Sequence, residues 1–205
     1  HGSEHSFPTR RSSDLKKILV VAALMLSSVS TFAQHAVGSF NLQPKVGVSI
    51  ANLTEVKGSD PRVGLVAGVE GEYQASDIFS VSAGVLYSMQ GAKANFANLV
   101  DATNRLDYIN VPIMANVYVV KGLAVKLGVQ PGFNVSNKIK VNNLDAVENP
   151  AKAQSVDVSI PVGLSYEYNN FQLDARYNWG VSKAFKLSDA KNSVFQITLG
   201  YKFDL

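Results

Sequence analysis

The chain has 205 residues, of which 46% are hydrophobic and only 17% charged, and it contains no cysteine. One domain of ordinary size fits that length. The missing thiol excludes disulfide frameworks, cysteine nucleophiles, Cys-ligated zinc and lipid-modified cysteine.

The first stretch, "SFPTRRSSDL" (6–15), resembles the translation of a short-read sequencing adapter joined in frame, with Leu15 where a start methionine belongs. Residues 1–15 are therefore expected to be non-native and are set aside. "KKILVVAALMLSSVSTFAQ" follows, with the order of a secretory signal peptide over 16–33. Lys16 and Lys17 give a positive start, and Ile18–Leu26 a short apolar run. Ser27–Ala33 is small and polar, with Thr31 and Ala33 at −3 and −1 of a cleavage before Gln34. The apolar run falls short of the roughly 20 residues a membrane-spanning helix needs. Without these segments 15 basic and 14 acidic residues are left, so no polycation argument for nucleic acid survives.

From 34 to 205 the pattern is period two, with apolar residues alternating with small or polar ones. Eight segments carry it: 45–52, 62–73, 78–90, 106–119, 123–133, 155–168, 171–181 and 193–203. The last reads Phe195, Ile197, Leu199, Tyr201, Phe203 on one face. Most match the 9–11 residues of a tilted membrane-spanning strand. Short connections at 74–77, 120–122 and 169–170 alternate with long ones at 53–61, 91–105, 134–154 and 182–192. This rhythm predicts an all-β fold, an eight-stranded antiparallel transmembrane up-and-down β-barrel. Its tight turns and both termini belong at the periplasmic rim, in a bacterial outer membrane.

Opposite the apolar positions lie nine of the fifteen glycines, among them Gly47, Gly64, Gly68 and Gly84. An eight-stranded interior is only wide enough for side chains to fill, so small residues belong there. The same face carries Lys45, Arg62, Lys126, Arg176 and Lys202 against Glu70, Glu72, Asp157, Glu167 and Asp174. Because unpaired buried charge is costly, these are expected to form an interior charge network. Aromatics of the apolar face gather near strand ends. Tyr73, Phe79, Tyr166, Tyr168, Phe171, Tyr201 and Phe203 are expected at the short-turn rim. Tyr87, Phe133, Tyr177, Trp179 and Phe195 are expected toward the long-loop rim, giving two girdles. Pro112, Pro131 and Pro161 fall inside the expected strands, where bulges or broken ladder bonds are expected.

The closing "TLGYKF" resembles the C-terminal recognition signal of outer-membrane barrels, in Thr198, Gly200, Tyr201 and Phe203. That resemblance implies the barrel-assembly machinery of the outer membrane as a folding partner. Asp204 and Leu205 extend past the aromatic, a departure from barrels that end on it. "LDYINVPIMANVY" (106–118), "LDARYNWGVS" (173–182) and "LGYKF" are similar to the small outer-membrane beta-barrel family known as porin-family or PorT-family proteins. The likeness covers residues 40–205. It implies fold and location, with outer-membrane lipid and lipopolysaccharide as surroundings; the namesake acts in a secretion system, and the surface or secretion-system partner of this chain stays open.

No cofactor or metal site is expected. His1, His5 and His35 all precede the first expected strand, which leaves a Ser/His acyl transferase without its base. Glu70 and Glu72 share one side and could do acid–base work, but bridging to Lys126, Arg176 or Lys202 is the expected role. Asp101, Asp107, Asp145 and Glu148 lack calcium-loop spacing. The longest connection, 134–154, mixes Lys138, Lys140 and Lys152 with Asp145 and Glu148, as a contact loop would. The expectation is a non-enzymatic envelope protein with a charge-filled interior. The alternatives are a narrow channel for ions or small solutes, and a soluble lipocalin-like carrier with the apolar face turned inward.

Overall fold

The computed structural model describes residues 35–54, 59–96, 100–141, 147–148, 153–184 and 191–205. The expected leader at 16–33, the segment 1–15, and Asp145 and Lys152 lie outside them. Among the described residues eleven strand segments form one sheet: β1 (Phe40–Leu53), β2 (Ser59–Ser76), β3 (Phe79–Phe96), β4 (Val100–Asn110), β5 (Ile113–Val120), β6 (Leu123–Val141), β7 (Val147–Glu148), β8 (Val156–Tyr168), β9 (Phe171–Gly180), β10 (Asn192–Tyr201) and β11 (Phe203–Asp204). Neighbours in sequence pair antiparallel, β4 and β5 serving together as the fourth strand. β1 then pairs with β10 from Lys45↔Gly200 to Leu53↔Asn192, closing the ring at eight strands. Closure leaves no free edge along that seam.

Side chains alternate strictly across the wall. β9 shows it plainly: Phe171, Leu173, Tyr177 and Trp179 face out, while Gln172, Asp174, Arg176 and Asn178 are buried. The soluble carrier with an apolar interior is thereby overturned, since the apolar face is the outer one all round the barrel. Phe171 and Trp179 stand eight residues apart on β9, about 26 Å of strand. At a tilt of about 40° that is about 20 Å of height, close to the ~25 Å apolar band of membrane barrels.

The tight turns have local causes. Tyr168 and Phe171 pair across Asn169 and Asn170, which both take positive φ, 46° and 68°. Two consecutive positive-φ residues make the hairpin turn whose twist matches its strands, and asparagine tolerates that region.

Strand limits differ from expectation in three places. The fourth strand, expected over 106–119 with broken ladder bonds at Pro112, breaks there into two segments at Val111 and Pro112, because proline cannot donate to the ladder. Gly84 N donates to the Pro112 carbonyl across the break. The connection 91–105 is not a loop but a ladder, with β3 and β4 paired from Leu86↔Asn110 to Phe96↔Val100. β6 likewise runs on to Val141, past a register shift between Asp107 and Tyr108 on its partner. Around Pro131 pairing continues at Pro131↔Val158, while the β6–β8 ladder skips from Leu127↔Val162 to Gln130↔Ser159, opposite Pro161. β3, β4 and β6 thus rise as a wall above one side of the long-loop rim.

Candidate functional site

The interior is where the sequence concentrates its chemistry. Four strands supply a midsection cluster: Lys45 from β1, Glu70 from β2, Lys126 from β6, and Asp174 and Arg176 from β9, each side chain no more than 1% exposed. Arg176 donates from Nε to Asp174 Oδ1 at 2.9 Å and from Nη2 to Oδ2 at 2.8 Å. The same Nη2 lies 2.8 Å from Glu70 Oε1. Lys126 Nζ donates to Asp174 Oδ2 at 2.7 Å and Lys45 Nζ to the same oxygen at 3.2 Å. Lys45 also donates to Glu70. A bidentate guanidinium–carboxylate pair fixes geometry as well as charge.

Glycines make the room. In the register, Lys45 faces Gly68 and Gly200, Glu70 faces Gly84, and Arg176 faces Gly163. A Cβ on Gly84 would stand 2.5 Å from Glu70 Cγ, and one on Gly163 2.9 Å from Arg176 Cβ. The same exchange of large for small places Leu86 opposite Gly68 and Met114 opposite Gly128.

A second cluster lies toward the short-turn rim. Lys202 Nζ bridges Glu72 Oε2 and Glu167 Oε2, both at 2.8 Å. Tyr118 donates to Glu72 at 2.6 Å and accepts from Lys202 at 3.2 Å. His35 joins it. Sequence reading left this histidine outside the barrel, yet its Nε2 is 2.8 Å from Glu167 Oε1 and its Nδ1 3.0 Å from Asp204 Oδ1. It precedes β1, outside the membrane-spanning strands, and its pKa is raised, chiefly by the hydrogen bond to Glu167. The midsection holds three cations to two carboxylates, and this layer one lysine to two. Glu70 and Glu72, adjacent inward positions on β2, join the two excesses.

Toward the long-loop rim the pairing differs from the ten-residue network. Arg62 finds Asp107, a residue weighed above only for calcium, at 3.5 Å, and donates to the Gln90 carbonyl. Tyr87 OH donates to the same Asp107 at 3.0 Å. Asp157 accepts from Ser182 and Asn192, and no cation stands beside it among the described residues. Large inward residues such as Tyr108, Leu86 and Tyr118 were not in the expected lining. For Leu86 the signal was Gly68 on the strand facing it.

The expected girdle residues lie on the outer surface. Tyr73, Tyr166, Tyr168, Phe171, Tyr201 and Phe203 are exposed at the short-turn rim, with Phe79 half-buried. Phe171 and Tyr201 meet edge to face at 5.0 Å, and Tyr201 and Phe203 at 4.8 Å. Toward the other rim Tyr177 pairs with Phe195 in the register, Tyr87 and Phe133 flank Ile109, and Trp179 stands beside Ile160. In the closing strand Thr198 and Gly200 face in and Tyr201 and Phe203 face out.

A closed eight-stranded sheet with an apolar outer band and a polar interior is an integral β-barrel of a membrane. Residues 32–186 match the model of the outer membrane protein beta-barrel domain, and the chain belongs to that family. Among solved structures it is similar to Ail, the attachment invasion locus protein of Yersinia pestis. The identity is 18% and the TM-score 0.50, over 82% of this chain and 100% of that one. Neisserial surface protein A matches at 16% identity and a TM-score of 0.49, over 80% and 97% of the two chains. OprG of Pseudomonas aeruginosa matches at 12% and 0.45, over 82% and 97%. At these identities the likeness is one of fold. No curated protein matches the sequence.

Proposed function

We propose that this outer-membrane barrel is a non-enzymatic envelope protein whose ion-paired interior is a plug and whose working surface is the wall above the long-loop rim. The observation that carries the proposal is the midsection cluster. Three cations and two carboxylates from four strands meet within hydrogen-bond distance, inside a ring that eight strands leave just wide enough to fill. Opening a path would strip buried charges of their partners, which is costly. His35 supports the non-enzymatic reading, because both its ring nitrogens face carboxylates rather than a nucleophile.

With the interior filled, contact falls to the extended β3–β4 ladder and β6, in keeping with the general placement of binding on rim segments of rigid scaffolds. Termini at the periplasmic rim, a cleaved leader over 16–33, and lipopolysaccharide and the barrel-assembly machinery as partners belong to the same proposal. The test replaces residues 94–102 by an Asn-Gly turn between the paired Lys93 and Thr103. In a strain lacking the protein and sensitive to detergent, the full chain should restore resistance. The shortened chain should fold but fail to restore it. Equal rescue by both would contradict the role of the wall.

A further inference from the structure

Beneath the long-loop rim, inside the barrel, a small, partly open void of about 10 Å³ is bounded by inward residues of β3, β4, β6, β8, β9 and β10. That is space for one water-sized body. Seven of its nine lining residues are polar. Asp157 supplies a carboxylate, and Gln130, Asn178 and Asn192 supply amides, all four at least nine-tenths buried.

Most of these amides are unsatisfied within the protein. Gln130 Oε1, Asn192 Oδ1 and both polar atoms of Asn178 accept or donate no hydrogen bond. Buried polar groups are ordinarily paired, and each exception calls for an explanation. Three such oxygens line this one void, beside one further unpaired donor, Asn110 Nδ2. Gln130 Nε2 is already committed to Ser159 Oγ, and Asn192 Nδ2 to Asp157 and Tyr108. Both amides are thereby turned so that their oxygens are the free atoms. Asn178 can present its oxygen whichever way its amide is turned. Gly132 keeps the space open, since a Cβ there would stand 2.5 Å from Asn110 Oδ1.

The charge balance points the same way. Arg176, a cation of the midsection cluster, lies opposite Gly163 on β8, six residues from Asp157 or about 20 Å of strand. Ser182 and Asn192 donate to Asp157 but bring no charge. A buried carboxylate with neutral neighbours lacks one positive charge, and a buried site gains most from an ion that matches it.

We infer that this void is a binding site for a single alkali-metal cation. Asp157 is its charged ligand, and Gln130, Asn178 and Asn192 are its neutral oxygen donors. Hard cations take such oxygen sets. The single carboxylate selects a monovalent ion, because a divalent one would leave a buried positive charge. The ion would tie together strands from half the circumference at the mouth of the barrel.

The test is the unfolding midpoint of the refolded protein in detergent micelles, followed by its heat-dependent gel shift. Sodium, potassium, calcium and N-methylglucammonium chlorides are compared at equal ionic strength. The expected result is a saturable rise in midpoint with sodium or potassium over N-methylglucammonium, absent in Asp157→Asn. Equal midpoints in all four salts, or a rise with calcium alone, would overturn the assignment. An identical sodium effect in Asp157→Asn would overturn it too. If that variant does not fold, crystals of the unaltered protein soaked in rubidium chloride decide the matter. An anomalous peak between Asp157 and Asn178 supports the site, and its absence at saturating rubidium contradicts it.

Discussion

Asp174 and Arg176, adjacent inward positions on β9, lie side by side in the barrel and join through two parallel hydrogen bonds of 2.9 and 2.8 Å. Asp174 is the hub of the midsection, since Lys126 and Lys45 also donate to it.

That arrangement makes the two partners unequal. Asp174→Asn leaves three buried cations to share Glu70 and should destabilise the barrel by about 3–5 kcal/mol, the range for breaking a buried pair. Arg176→Met leaves two cations with two carboxylates and should cost less. Equilibrium unfolding of both variants in micelles checks the order. A larger loss for Arg176→Met would show that geometry, not charge balance, governs the cluster.

The seam between β1 and β10 depends on a close approach at Gly47, where a Cβ would stand 2.6 Å from the Thr198 Cα. Gly47→Ala is expected to destabilise closure by about 1–3 kcal/mol, the cost of overpacking. The fraction of protein showing the folded band on an unboiled gel should fall. An unchanged fraction would place the tight contact elsewhere.

The His35 contacts to Glu167 and Asp204 are made as donors only when the imidazole carries both protons. Its pKa is raised above the ordinary 6.5. The contribution is therefore full below the unfolded value and is lost as pH rises through the folded one. Hydrogen exchange at residues 36–39 should be slower at pH 6 than at pH 9, after correction for intrinsic exchange. His35→Gln should remove the difference. A protection pattern that strengthens with pH would contradict the ion pair.

Much of this architecture could be read from the residues, because a membrane barrel writes its two solvents into alternate positions. Phe195, Ile197 and Leu199 against Gln196, Thr198 and Gly200 suffices to place the wall. The wall above the rim was not legible, because residues 91–105 (GAKANFANLVDATNR) carry no run of alternating large apolar residues to mark a strand. Arg62 with Asp107 escaped for a different reason. Asp107 shares the outward parity of Ile109 on its strand, so alternation gave no sign that it would meet the inward Arg62. His35 escaped because it belongs to no periodic segment, only to a chain end folded back onto Glu167. The polar void was invisible because its lining is scattered over six strands, and only register assembles it.

The central claim is that ion pairs close the barrel, and current through single molecules tests it most directly. Refolded protein inserted into a planar bilayer in molar potassium chloride should give no large, stable conductance steps. Asp174→Asn and Arg176→Met should at most add brief flicker. Large, stable currents from the unaltered chain would contradict the plug and make the barrel a channel.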